Sequence, residues 1–271
     1  MKLTIFGTIT EDTIIRSGKE TTTLGGAPFF FCKAADRFGT TMVPISTIGK
    51  NDIKYLSEKN TNTSFLKVTN ATTRLIVNAD LEKPTCYVEN VNEKIDVAAL
   101  PNEVFDSEII TMSTLSDEFN ISEIVERTNK NAIVAADIQG FVRASLVRGL
   151  VLNELDKKLS RENKKLLSQI KILKCNEFES LLVDSTLDLK QRAANISKLG
   201  PKIVIITLGE KGSLIFDNGA FIEQPAVGKL NRTLGAGDLF FAAFLCNLSA
   251  GTKEAAKIAA EFVYEVLGSE K

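Results

Sequence analysis

The chain predicts an α/β protein built on a largely parallel sheet, and three features carry that prediction. From residue 108 onward, strand-like and helix-like stretches alternate: 109–113, then 117–129, then 132–137. That rhythm belongs to a parallel sheet with helices on both faces. Residues 202–208, K-I-V-I-I-T-L, form a continuous β-branched run, as expected of a strand covered on both sides. Finally, every residue from 239 to 246 is apolar. A helix with no polar stripe is buried.

At 271 residues, 44% of them hydrophobic and 25% charged, the chain can fill one large core, and a single domain over 1–271 is expected. The net charge of −1 offers no basic field for nucleic acid, so no nucleic-acid partner is expected. The apolar runs fall well short of the ~18 residues of a membrane span. The N-terminal M-K-L-T-I-F-G is too short in its apolar part for a secretory signal, so a cytoplasmic location is expected, with no membrane partner. Cys32, Cys86, Cys175 and Cys246 are scattered and read as core residues in a reducing compartment. There is no histidine. Ser-His and Cys-His mechanisms and His-ligated zinc are therefore excluded, and proton transfer must rest on other side chains.

Taken in order, residues 2–7 form a short strand, and Asp12 follows Gly7 by five positions. Gly25 and Gly26 precede a helix that runs from about Pro28 to Phe38 and stops at Gly39. Proline suits the first turn of such a helix and glycine its end. Residues 41–47 read as a strand, and 64–69, 72–78 and 85–91 as short strands separated by polar turns. Small-sheet strands are expected within 8–24 and 64–100. Asp137 closes a strand at the end where ligands of parallel sheets sit. The charged stretch 153–168 reads as a solvated helix. A strand at 171–174 leads into Asn176 and Glu179, whose N-x-x-E spacing makes a capping box on its own. After 202–208 come Gly209 and Gly212, then a short strand at 213–216. A last helix spans 253–267. Gly235, Ala236, Gly237 and Asp238 open the all-apolar helix. Unpaired N–H groups at a helix start, joined with the macrodipole, favour an anion such as phosphate. An acid beside such an anion suits proton abstraction; a plain glycine turn with a dipole partner is the competing reading.

Together, G-T-I-T-E-D, G-G-A-P, N-x-x-E, T-L-G-E-K-G and G-A-G-D in this order resemble the ribokinase-like (PfkB) family of carbohydrate and nucleoside kinases. The resemblance implies a three-layer α/β/α sandwich with a small β lid. It also implies ATP, Mg²⁺ and phosphoryl transfer to an alcohol of a sugar, nucleoside or cyclitol. On that resemblance Asp238 is the general base, and the backbone of Gly235, Ala236 and Gly237 is the anion hole. Asp12, Gly25, Gly26 and Phe30 face the acceptor; Asn176, Thr207, Gly209 and Gly212 face the nucleotide. Glu179 meets the metal through water, and its capping role can hold at the same time. The D-x-Q-G-x-x-R segment makes Arg143 a phosphate candidate. Arg232 is a second one, standing where the family usually has aspartate. Phe30 replaces a usual asparagine. A homodimer through the lid is a further expectation. The alternative is a non-catalytic sugar- or nucleotide-binding protein of the same fold. Dinucleotide and P-loop fingerprints are absent.

Overall fold

The computed structural model describes residues 1–56, 59–80, 85–152 and 156–268. In chain order the first half contains β1 (Lys2–Phe6), β2 (Thr10–Arg16), β3 (Lys19–Gly25), α1 (Ala27–Phe38), β4 (Thr41–Ile45) and β5 (Thr47–Gly49). There follow β6 (Lys67–Thr69), β7 (Thr73–Asn78), β8 (Thr85–Asn90), β9 (Ile109–Met112), α2 (Ile121–Arg127) and β10 (Ile133–Asp137). The second half contains α3 (Gln139–Val142), α4 (Arg161–Leu166), β11 (Ile172–Asn176), α5 (Glu177–Val183) and α6 (Leu189–Ser197). It closes with β12 (Ile203–Thr207), β13 (Ser213–Asp217), β14 (Ala220–Gln224), α7 (Ala236–Cys246) and α8 (Thr252–Leu267).

The main sheet has eight strands in the order β14-β13-β12-β11-β10-β9-β1-β4. The six from β12 to β4 are mutually parallel, and β13 and β14 add an antiparallel edge. Alternation along the strands splits the core in two. Leu3, Ile5, Ile172 and Ile205 face Phe31 of α1, Phe241 and Phe244 of α7 and Ala259 of α8. Phe6, Val43, Ile110, Leu173 and Val204 face Ile124 of α2, Val183 of α5 and Ile196 of α6. This is the expected three-layer sandwich. A separate four-stranded sheet, β3-β2-β7-β8, is built from two stretches at 10–25 and 73–90.

Several elements differ from expectation for identifiable reasons. The predicted strand 41–47 divides at Ser46, whose Oγ accepts the Ile9 N–H at 2.8 Å. The stretch 64–69 does not join the small sheet. Thr63–Phe65 is a single 3₁₀ turn capped by Asn62, and β6 pairs in parallel with β5. The helix expected at 117–129 begins only at Ile121, behind the Asn120 cap. Glu118 is withdrawn from it into the interior. There its carboxylate accepts Thr8 Oγ1 at 2.5 Å and the N–H groups of Leu115 and Ser116 at 2.6 Å each. In the charged stretch 153–168 the described residues form α4, capped by Ser160, and enter a 3₁₀ turn at Leu167–Gln169; 153–155 lie outside the described residues.

Between α3 and α4 the chain leaves the main core. Gly149 N–H donates to Val88 O, and Val88 N–H donates to Leu150 O. Val151 stands opposite Tyr87. This segment thus extends the small sheet beyond β8, and Leu152 buries itself against Leu75 and Val88.

Glu118 holds a loop of one layer to the end of β1, so its removal has a predictable effect. Glu118→Ala leaves two backbone donors and the Thr8 hydroxyl without partners in the interior. Each such group costs about 1–3 kcal/mol. Urea unfolding should therefore show a loss of at least about 2 kcal/mol. A loss below about 0.5 kcal/mol, the usual range of surface substitutions, would mean that the carboxylate is not the clamp.

Candidate active site

The carboxyl ends of β10 and β11 and the start of α7 meet at one point. Asp137 ends β10, and the strand register sets it opposite Lys174 of β11. Both side chains are almost fully buried, 4% and 7% exposed, and Lys174 Nζ donates to Asp137 Oδ2 at 2.6 Å. The other oxygen of Asp137 accepts the Gln139 N–H at 3.1 Å, which starts α3. Directly above, α7 begins at Gly235, held at φ 81 in the left-handed region where glycine is favoured. Its approach to Phe30 also demands glycine, because a Cβ there would strike the Phe30 ring.

The helix start offers anion-binding donors, though not the full expected set. Ala236 N–H is spent on Thr233 O at 3.1 Å. The N–H groups of Gly235, Gly237 and Asp238 have no hydrogen-bond partner among the described residues. They open into a cavity of about 340 Å³. Lys174, Asn176, Glu179, Gly237 and Asp238 line it. Ala226, Val227, Leu230, Ala260, Val263 and Tyr264 also line it. Thr207, Gly209 and Gly212 border it as the reading of the T-L-G-E-K-G turn expected. Gly209 (φ 60) and Gly212 (φ 94) are both left-handed, and a Cβ on Gly212 would collide with Gln224 O.

The Asn176–Glu179 pair forms a complete capping box at the start of α5. Asn176 Oδ1 accepts the Glu179 N–H, and Glu179 Oε2 accepts the Asn176 N–H, each at 2.8 Å. Glu179 Oε1 makes no hydrogen bond among the described residues, and the side chain borders the cavity. The structural role therefore leaves one carboxylate oxygen free for a ligand.

Asp12 lies beyond this cavity in the small sheet, buried, with Oδ1 unpartnered. Beside it the Thr10 hydroxyl is equally unpartnered, and both crowd Gly25, where a Cβ would run into the Asp12 carboxylate. Gly26 approaches Thr8 O so closely that no side chain fits. Buried polar atoms are nearly always satisfied. Burial pushes the Asp12 carboxyl up to about 6, and the Thr10 hydroxyl beside it opposes the rise. Asp238 is likewise pushed up to about 6, by burial first; Lys174 opposes the rise, and Asp137 and Asp12 add to it. Glu179 rises to about 7 through burial and the Asp137 charge. Four carboxylates thus act on one small region.

Three further expected residues are placed as follows. Arg143 is not a free cation: Nε donates to Asp156 Oδ1 at 2.6 Å with both side chains buried, and Nη1 donates to Leu115 O. Asp156 arrives from the far end of the 143–156 excursion, which sequence spacing did not reveal. Arg232 is outside the residues that line the cavity. The Phe30 ring is buried behind Gly235 and against Phe29. Sequence reasoning also missed Lys174. A lysine inside the buried run I-L-K-C-N was the available signal, because such a charge needs a partner.

Residues 3–264 match the model of the pfkB family of carbohydrate kinases. A cytidine kinase of Thermococcus kodakarensis is 26% identical over 98% of this chain and 96% of its own length. A fructoselysine 6-kinase of Escherichia coli is 48% identical over a shorter stretch, 25% of this chain and 26% of its own. Among solved structures, a pyrophosphate-dependent kinase in the ribokinase family, complexed with a pyrophosphate analogue and myo-inositol, superposes with a TM-score of 0.80. It is 20% identical, over 99% of this chain and 96% of that one. A ribokinase of Arabidopsis thaliana complexed with ribose and ATP gives a TM-score of 0.75 at 19% identity, over 99% and 93%. Both show the shared fold.

The raised carboxyl of Asp238 leaves a trace in stability. Its proton is held up to about pH 6 in the folded state but only to 3.8 in the unfolded chain. Between those values the native state binds more protons, so this group's contribution to stability falls as pH rises through the window. Asp238→Asn removes that loss. The melting temperature of the variant should exceed wild type at about pH 7.5, with the gap narrowing towards about pH 5. A gap independent of pH, or a less stable variant at the higher pH, would contradict the burial of a charged group at this position.

Proposed function

Because this chain belongs to the pfkB family of carbohydrate kinases, we propose that it transfers the γ-phosphoryl group of ATP to a hydroxyl of an unphosphorylated sugar, nucleoside or cyclitol. The observation that supports this most is the meeting, at one cavity, of unpaired backbone donors and the Asp238 carboxylate. In the proposed reaction the acceptor oxygen forms a bond to the γ-phosphorus. The bond from that phosphorus to the bridging oxygen breaks, and ADP leaves. The acceptor proton passes to Asp238, the general base, and then to solvent. The N–H groups of Gly235, Gly237 and Asp238 stabilise the charge on the phosphoryl oxygens.

The cavity lining suits this donor. A donor of phosphates alone would leave the lining of Val227, Ala260 and Tyr264 without an occupant, whereas an adenosine covers it. Magnesium, when bound, neutralises the polyphosphate charge. No group of three acidic, histidine or cysteine side chains is placed to hold a metal ion by itself among the described residues. Glu179 Oε1 would therefore serve as an outer contact to an ion held mainly by phosphates and water. On the acceptor side, Asp12 Oδ1 and Thr10 Oγ1 accept and donate to ring hydroxyls. The small sheet that carries them acts as the lid. An unphosphorylated acceptor is favoured by charge: Asp12 and Asp238 are acidic, and Arg143 is already matched by Asp156. Arg143 is thereby withheld from a fixed phosphate dianion on the acceptor.

Formation of the phosphorylated acceptor should be measured with ribose, fructose, nucleosides and myo-inositol, each beside its phosphorylated counterpart, with ATP or pyrophosphate as donor. Turnover with ATP and an unphosphorylated acceptor is expected. A clear preference for a phosphorylated acceptor or for pyrophosphate would refute the corresponding part of the assignment. With the best acceptor, Asp238→Asn should lower kcat by roughly 10²–10⁴ while retaining ATP binding. Near wild-type turnover would exclude Asp238 as the base. Glu179→Gln should raise the magnesium concentration giving half-maximal rate. An unchanged magnesium curve would leave Glu179 only its capping role.

A further inference from the structure

Resting on the phosphoryl-transfer reading above, we propose that Lys174 is a catalytic residue, its ammonium touching the transferring phosphoryl group from beneath the start of α7.

The placement follows from strand geometry. Along β11, Ile172 faces the α1/α7/α8 layer and Leu173 the opposite one, so Lys174 turns back towards α7. Its Nζ lies 3.3 Å and its Cε 3.5 Å from the position a Cβ on Gly237 would take. The ammonium therefore sits directly under backbone whose N–H is unpaired, and it borders the same cavity. An ammonium has three donors. One goes to Asp137; among the described residues the other two have no partner.

The charge balance points the same way. Burial tends to discharge Lys174, but the charges of Asp137, Glu179 and Asp238 outweigh it and hold the group protonated. If the lysine served only to neutralise Asp137, a buried ion pair would add little that an apolar pair could not supply. Its location explains why the pair exists. A phosphoryl group entering beside Asp238 and Glu179 meets two carboxylates, and Lys174 is the cation at hand to offset them. As the γ-phosphorus leaves the bridging oxygen and bonds to the acceptor, charge spreads over its three peripheral oxygens. An ammonium fixed in a water-poor site stabilises that distribution with no reorganisation of its own.

Lys174→Met alone strands the Asp137 charge in the interior and can unfold the protein. The test therefore uses the double variant Lys174→Met/Asp137→Asn, which removes both members of the buried ion pair together, with Asp137→Asn as its control. Binding of ATP and of ADP is measured by calorimetry, and turnover is measured with the acceptor found above. In the double variant ATP affinity should fall by about tenfold or more, and ADP affinity should stay within about twofold. Its kcat should drop by roughly 10²–10³, with acceptor KM little changed. Asp137→Asn alone should keep the preference for ATP over ADP. Equal loss of ATP and ADP affinity, or no loss of either, would overturn the role of Lys174 while leaving the kinase reading intact. A wild-type protein that binds neither nucleotide would instead bring down the kinase reading, and this inference with it.

Discussion

Asp12, Asp137, Glu179 and Asp238 are all drawn into a region largely removed from water, and the Lys174 ammonium is the charge that makes their proximity tolerable. Its hydrogen bond to Asp137 ties neighbouring strands at their carboxyl ends, where the parallel sheet turns into loops. Asp137 then seeds α3 through the Gln139 N–H, and α7 comes to rest on the lysine with its glycine start. Like charges this close raise one another's proton affinity, so a carboxylate able to take a proton near neutrality follows from the packing. A chain without histidine gains in this way a group that titrates where histidine otherwise would.

What could be read from the sequence was local. The α1 boundaries were visible in Pro28 and Gly39, β12 in its β-branched run, α7 in its lack of polar residues, and the capping box in Asn176 and Glu179. What could not be read depended on partners distant in the chain. Lys174 and Asp137 are 37 positions apart and meet only because the register of β10 against β11 brings them side by side. Arg143 looked available until Asp156 closed on it from the end of an excursion. Glu118 looked like a helix residue, but Thr8 and the loop at Leu115 supplied a better home for its carboxylate. Phe30 was read by its place after Gly26, and its packing against Gly235, far along the chain, was not visible in the sequence.

The small sheet is more firmly attached than a hairpin flap. At one end the Arg16 guanidinium donates to Asn231 O in the loop that leads to Gly235. At the other, Gly149 and Leu150 continue its hydrogen-bonding edge, and Leu152 anchors them. One tie runs to the loop before Gly235 and the other returns to the core through Arg143 and Asp156.

Helices α1 and α7 both begin at glycines in left-handed conformations, Gly26 and Gly235, and they lie against each other in the same layer. Phe31 meets Phe241 edge-on at 6.0 Å, and the Phe30 ring is wedged against Gly235. The backbone beside Asp12 and the backbone that faces the cavity are therefore two ends of one solid block. Well-packed interiors deform little. The spacing between these two stretches of backbone is thus gauged by aromatic rings in the core rather than by the pose of a loop.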